Sequence, residues 1–429
     1  MRKILILMIC VVMITSTTAL GFTQNTEIDN NSSLRVNEDI ETWIEKYGRE
    51  DLDDWGRYCE QTPDGGYILA GSSGPFEPGD DAGEMILIKV DETGQEMWRQ
   101  MYGGDDIDGC YSGVRTNDGG YLLVGYTTSF GAIGFRVYVV KTDEYGYMEW
   151  EKLYGSDNGG NPENTEGNHV AKTNDGGYII AASTRDGFGP ENYFLIKLDE
   201  FGNKEWDKQI GYEDLWEVPY SVIQTNDGGY AIVGSVKSAE EYHHHNIWFV
   251  KTDEWGNVQW EQEYGGYETE EGRDIKQTPD GGYIILGVTR SYAYGTRDMI
   301  IIKTDEDGYE EWVQVYGSSG WDHADSIDLT DDGGYIMAAA YYITTAIGND
   351  YTRPWLVKTD ERGYIDWEHI YLEDNFGGLG CAHQTADGGY IAIGSITYDP
   401  AYAEKDYDIL AIKTDSDGET ESLSRAREK

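Results

Sequence analysis

Apolar and polar positions along this chain recur in fixed blocks. The block "YILAGSS" is a short apolar run entered through a polar "DGG" turn, and "ILIKV" is nearly continuous in apolar residues. The block "WRQMY" alternates, with Trp98 and Tyr102 on one face and Arg99 on the other. A continuous apolar run of strand length predicts a strand covered on both faces, and alternation predicts a half-buried one. The turns between them fit the same reading. Glycine adopts the left-handed backbone a tight hairpin needs, and the Asp of each "D-x-x-G" turn can bond its own backbone.

These blocks repeat around the whole sequence. "DGGY" turns begin at Asp64, Asp118, Asp175, Asp227, Asp280, Asp332 and Asp387, spaced 52 to 57 residues apart. Each is followed by a run such as "FLIKLDEFG" or "IIIKTDEDG", and six of the seven continue into a Trp block such as "WEKLYGS". A period near 50 with four short strands per unit predicts the blades of a propeller. The last unit stops at "KTDSDGETE" without a Trp block, while an orphan copy, "WIEKYG", spans Trp43 to Gly48 at the other end. A ring explains that split, because pairing the N-terminal strand with the C-terminal blade closes the circle and hides both edges. The expectation is an all-β, seven-bladed propeller of four-stranded antiparallel blades over residues 43–418. A polar leader precedes it at 22–42 and a polar tail follows at 419–429.

The recurring pattern "DGGYIIAG … LIKTDxxGxxxWxxxYGG" resembles the β-propeller repeats of secreted and cell-surface proteins of archaea and bacteria. The match runs over residues 43–415, with Ile210 in place of the usual Tyr and "YLE" in place of "YGG" at Tyr371. The resemblance implies a propeller and carries no catalytic set with it.

Composition adds a compartment and a charge. The start "MRKILILMICVVMITSTTALG" has two basic residues, an apolar run too short to span a bilayer comfortably, and small residues after it. That is the layout of a signal peptide over residues 1–21, so the chain is expected to be exported, extracellular or at the cell surface. No second apolar segment follows, which predicts no membrane span. Acidic residues number 80 against 32 basic, a net charge of −48. Such a field excludes nucleic acid as a partner and favours a soluble monomer that attracts cations. Cys59, Cys110 and Cys381 are too few for a disulfide framework and are expected to be small buried thiols.

Features common to all seven units read as scaffold, and function is expected in the loops where units differ. Both signature turns fall at one end of the blades, so the opposite face collects the acidic inter-blade loops and the long aromatic loops. This loop face is the expected binding surface for an extracellular glycan or protein, through Tyr292, Tyr294, Tyr341, Tyr342, Tyr398, Tyr402, Trp55, Trp216 and Trp321. Ten residues before each turn Asp stand Asp54, Asp108, Glu217, Glu270 and Asp322 in five units, with Thr165 and Gly377 in the others. Glu166, Glu271 and His323 follow one residue later. If first strands line the axis, the five acids ring the channel mouth and could hold calcium, a hard cation that takes oxygen ligands. The run His243–His245 and the "DEDG" and "DSDG" turns are weaker metal candidates. No nucleophile elbow, zinc-protease motif or phosphate-binding glycine loop is present, and no catalytic residue is assigned. The alternatives to a binding module are a carboxylate-based hydrolase of extracellular glycans and a structural component of the cell envelope.

Overall fold

The computed structural model describes residues 40–49, 52–74, 83–132, 134–155, 163–186, 190–212, 214–237, 244–344, 350–372, 375–397 and 407–420. The expected signal peptide, most of the leader and tail, and His243, Tyr398 and Tyr402 lie outside these residues. Seven four-stranded antiparallel sheets make up the described fold. The first blade runs through Asp54–Gln61, Tyr67–Ser73, Glu84–Val90 and Glu96–Tyr102. Five further blades follow in the same order. The seventh takes Phe376–Gln384, Tyr390–Thr397 and Asp408–Thr414 from the end of the chain, and Trp43–Tyr47 from its start. The closing pair is antiparallel, with Trp43 opposite Lys413 and Tyr47 opposite Ile409.

The core lies between blades. Each of seven apolar clusters joins residues of two neighbouring sheets. One of them unites Trp43, Tyr47 and Ile391 of the seventh blade with Leu69 and Ile88 of the first, so the circle closes through a junction built like the others. No helix occurs among the described residues, and none is long and apolar enough to cross a membrane.

Each repeated residue has a mechanical task. The Lys of the third strand is buried and pairs with the "DGG" Asp of its own blade in all seven units, as Lys141 does with Asp118 at 2.9 Å and Lys413 with Asp387 at 2.9 Å. Its Nζ also donates to the next backbone carbonyl, for Lys141 that of Thr142 at 2.8 Å. This is a bond within the blade that clamps the turn. It leaves no room for a side chain on the second turn glycine, since a Cβ on Gly120 would stand 1.9 Å from the Thr142 carbonyl oxygen.

The outer signature bolts each blade to the next. Tyr102 donates from its hydroxyl to the Gly146 carbonyl of the following blade at 2.6 Å, and Tyr47 reaches Gly94 across the closure at 2.5 Å. Above the same glycines lie the fourth-strand tryptophans. Gly146 has φ +78, and a Cβ there would approach Trp98 to 2.6 Å, so both the backbone and the ring demand glycine. Ile210, where the pattern lacks its Tyr, leaves out this bond at one junction.

Candidate functional site: an asymmetric axial channel

The first strands face the axis, and each carries one extra residue. The register slips at the same place in all seven blades, between Gly56 and Tyr58, Cys110 and Ser112, Gly167 and His169, Pro219 and Ser221, Gly272 and Asp274, Ala324 and Ser326, and Leu379 and Cys381. The bulged residues are therefore Arg57, Tyr111, Asn168, Tyr220, Arg273, Asp325 and Gly380. A bulge adds a residue to one strand and re-aims its side chain. All seven line one cavity of about 840 Å³. Where the scaffold repeats, this ring shows five different residue types at seven places.

Charges on and around the channel wall are organised. Arg273 and Arg297 both bind Glu271, at 2.5 and 2.8 Å, and Arg273 lies over the Tyr220 ring at 4.3 Å. Arg57 sits 5.8 Å from the Tyr111 ring and forms no ion pair among the described residues. His323 stands 3.4 Å from Asp325. The arginines hold the Glu271 carboxyl below its ordinary range against the opposing effect of burial. Glu166 is pushed the other way by burial and by neighbouring Glu191. Glu166, on the channel wall, and Glu271, paired with the lining residue Arg273, thus titrate on opposite sides of the ordinary glutamate value.

Towards the turn end the wall divides. Val114 and Ile223 line one side, with Ala171 between their blades, and Glu60, Lys276, Asp328 and His383 line the other. His383 Nδ1 meets Asp328 Oδ2 at 2.6 Å, and Lys276 bonds Asp274 at 2.6 Å. Burial drives His169, on the apolar side, down to about 4.

The five rim acids do not come together. Asp54, Asp108, Glu217, Glu270 and Asp322 are buried, and each is held by its own inter-blade loop. Asp54 accepts from the Arg49 amide, Asp108 from Gly104, Glu217 from Tyr212, Glu270 from Gly266 and Asp322 from Ser318. None of the five lines the channel, whereas Glu166, one residue beyond that register, does. Among the described residues no group of three or more His, Cys, Asp or Glu could hold a metal ion. Burial raises Glu217 to about 7, and burial with neighbouring Asp322 raises Asp298 to about 6.

The loop-face aromatics divide as well. Tyr294 is 76% exposed, Tyr292 52% and Trp321 49%, with Trp216 at 36%. Trp321 carries Arg290 and Arg297 over its ring at 5.3 and 5.6 Å. Trp55 is instead stacked on Tyr407 at 4.4 Å. Tyr341 and Tyr342 continue the second strand of the sixth blade, and the Tyr341 ring meets Trp355 edge-on at 5.2 Å.

The bulge ring escaped a reading by simple alternation, although a signal existed. Residues just before the bulge are Gly56, Cys110, Gly167, Pro219, Gly272, Ala324 and Leu379, mostly small, as close packing between blades requires. Their neighbours on either side must then face the axis.

No family model matches this chain, and no curated protein matches it either. Solved structures that resemble it include a protein of unknown function from Bacteroides caccae, at 15% identity and a TM-score of 0.43, covering 70% of this chain and 92% of that one. Another, of unknown function, is from Dyadobacter fermentans, at 12% identity and a TM-score of 0.48, with 72% and 97% covered. A third is an α-L-arabinanase from Penicillium chrysogenum complexed with arabinobiose, at 12% identity and a TM-score of 0.44, with 71% and 92% covered.

Proposed function

We propose that the protein is an exported binding module of the extracellular or cell-surface propeller type, whose ligand enters the axial channel from the loop face. The observation that carries this reading is the bulge ring. Seven equivalent axial positions hold Arg57, Tyr111, Asn168, Tyr220, Arg273, Asp325 and Gly380 around an 840 Å³ cavity, while the scaffold bonds around them repeat. Flat rings beside guanidinium groups and carboxylates suit a glycan carrying hydroxyls and at least one anionic group. In a chain of net charge −48, Arg57 and Arg273 offer an anionic group two axial guanidinium partners, within a lining that also carries six carboxylates. Exposed Tyr292, Tyr294 and Trp321 would extend contact at the loop face.

Titration of an acidic and a neutral glycan panel by calorimetry tests the reading. Arg57→Gln and Tyr220→Ala should each weaken binding about tenfold or more, as loss of a charged hydrogen bond or a stacked ring does. Binding indifferent to both variants would remove the channel from the site, and an exclusive preference for basic peptides would replace the glycan. A second reading, a carboxylate-based glycan hydrolase, draws on Glu166, which lines the channel and is pushed towards its protonated form by burial. Release of reducing ends from a bound glycan, abolished by Glu166→Gln, would establish it.

A further inference from the structure

At the blade 7 to blade 1 closure, a thiol meets a histidine, a carboxylate and a second thiol. Cys381 Sγ lies 3.3 Å from His383 Nε2, and His383 Nδ1 lies 2.6 Å from Asp328 Oδ2 on the neighbouring blade. Across the seam, Cys59 Sγ approaches the Cys381 carbonyl and Cys381 Sγ the Cys59 carbonyl, each at 3.9 Å. Cys381, His383 and Asp328 all line the channel. Cys381 keeps 7% of its surface exposed, and Cys59 none.

Comparison with the other junctions makes the arrangement specific. The residue after the bulge normally ties its blade to the next one. Ser112 accepts from the Val170 amide at 3.3 Å, Asp274 from Ile327 at 3.0 Å and Ser326 from Ala382 at 3.2 Å. At the closure this same place is held by Cys381, and the residue it faces is Cys59. Cys110, one position short of its bulge, sits apart with Sγ 3.5 Å from the Ser112 carbonyl.

We propose that Cys381 is a reactive thiol, oriented and deprotonated by the His383–Asp328 relay, that reduces small hydroperoxides entering the channel, with Cys59 as its resolving partner. The Cys59 thiol, and with it the neighbouring imidazolium, holds Cys381 well below the usual thiol range, while burial and Cys381 push Cys59 up. That is the division between an attacking and a resolving sulfur. His383 is raised, against burial, by Cys381 and Asp328. Lys276, Asp274, Glu60 and Tyr58 are the other titratable groups around the cluster.

The chemistry balances within these groups. The Cys381 thiolate attacks one peroxide oxygen and the O–O bond breaks. The departing alkoxide takes the proton from His383 Nε2, leaving a sulfenic acid on Cys381. The Cys59 sulfur then attacks that sulfur and the S–O bond breaks. Hydroxide leaves with the Cys59 proton as water, and the new S–S bond joins the first blade to the seventh. Two thiols lose two electrons and the hydroperoxide gains them. A simple acyl-transfer thiol would have no use for Cys59, whereas a thiol oxidised to its sulfenic acid can be resolved by such a neighbour.

The test uses the full chain, reduced and then exposed to hydrogen peroxide, with thiols located by peptide mass spectrometry. The wild type should lose two hydrogens as a Cys59–Cys381 disulfide while Cys110 stays reduced. Cys59→Ser should instead leave a sulfenic acid on Cys381, captured by dimedone. Iodoacetamide should alkylate Cys381 at about pH 6 roughly tenfold faster than in Asp328→Asn, whose pH profile should move towards that of an ordinary thiol. Should Cys59→Ser fail to fold, the alkylation profile of the wild type decides alone. Cys381 reacting only above about pH 8, or peroxide leaving Cys59 and Cys381 as thiols in the folded protein, overturns the proposal.

Discussion

Replacing Trp43 by Ala probes whether the N-terminal strand is structural or an appendage. Trp43 is 7% exposed, its ring meets Tyr67 edge-on at 5.7 Å, and its Nε1 donates to the Glu92 carbonyl at 2.9 Å. Its six-membered ring also covers Gly94, where even a Cβ would come within 2.8 Å. The substitution removes a buried indole, opens a cavity between two blades and strands a carbonyl. Large-to-small changes of this kind cost about 3–5 kcal/mol. The equivalent Trp98→Ala, between the first and second blades, should also be costly though less so, because Trp98 covers Gly146 as Trp43 covers Gly94 but is only partly buried. Urea unfolding followed by intrinsic fluorescence and circular dichroism measures both. A chain starting at residue 41 should match the full chain in midpoint. One starting at residue 49 should expose the edge of Asp408–Thr414 and aggregate. If Trp43→Ala is nearly neutral while Trp98→Ala is costly, the N-terminal strand does not close the ring in solution and the junction argument fails.

Gly120→Val should destabilise by about 3 kcal/mol or more, since its Cβ would overlap the Thr142 carbonyl oxygen at 1.9 Å; an unchanged melting temperature would show that the turn yields. Ile210→Tyr should supply the missing bolt to the Gly256 carbonyl and add about 0.5–1.5 kcal/mol, read as a higher urea midpoint. Glu217, with a folded-state value of about 7 against an ordinary 4.5, is more readily protonated when folded than unfolded. Its charge therefore costs stability that is absent at low pH, grows as pH rises from about 4.5 to about 7 and is full above that, so Glu217→Gln should stabilise by about 1–2 kcal/mol near pH 8 and not near pH 4. Calcium should raise the melting temperature no more than sodium at matched ionic strength, because the five rim acids serve separate loops; a calcium-specific rise abolished by changing Asp54, Asp108, Glu270 and Asp322 to amides would restore the cation.

The blades were legible because their determinants are local and repeated. A "DGG" turn, a continuous apolar strand and a Trp–x–x–x–Tyr block each specify geometry within a few residues, and seven copies average out variation. The closure was legible for a different reason: a strand signature without a blade and a blade without its strand can be matched by counting. The channel was not legible by the same means. Counting back from the turn selected Asp54, Asp108, Glu217, Glu270 and Asp322, but period-two alternation gives two faces without saying which one sees the axis. The bulge compounds this, since one inserted residue shifts every side chain beyond it relative to the turn. The charged pattern just inside the rim also misleads, because in so acidic a chain a row of carboxylates is cheap to find and here it organises loops. Cys59 and Cys381 count to adjacent heights in their own blades, and only the packing of first strand against first strand brings them together.

Repetition and asymmetry are separated by radius. At the periphery, the Tyr102 to Gly146 bond and its counterparts are nearly invariant, and at mid-blade the Lys–Asp clamp recurs in all seven units. At the axis no residue type occupies a majority of the bulge ring. A closed ring forces this arrangement on whatever the protein does. Its outer junctions must share one geometry for the circle to meet itself, so a change there is felt as a change of curvature at every blade. An axial side chain touches solvent and its near neighbours, and can vary without altering the angle between sheets. The closure junction is the one place where both demands meet: Tyr47 and Gly94 keep the common bolt at its outer end, while Cys59 and Cys381 replace the common tie at its inner end. Chemistry placed there reports directly on whether the ring is shut.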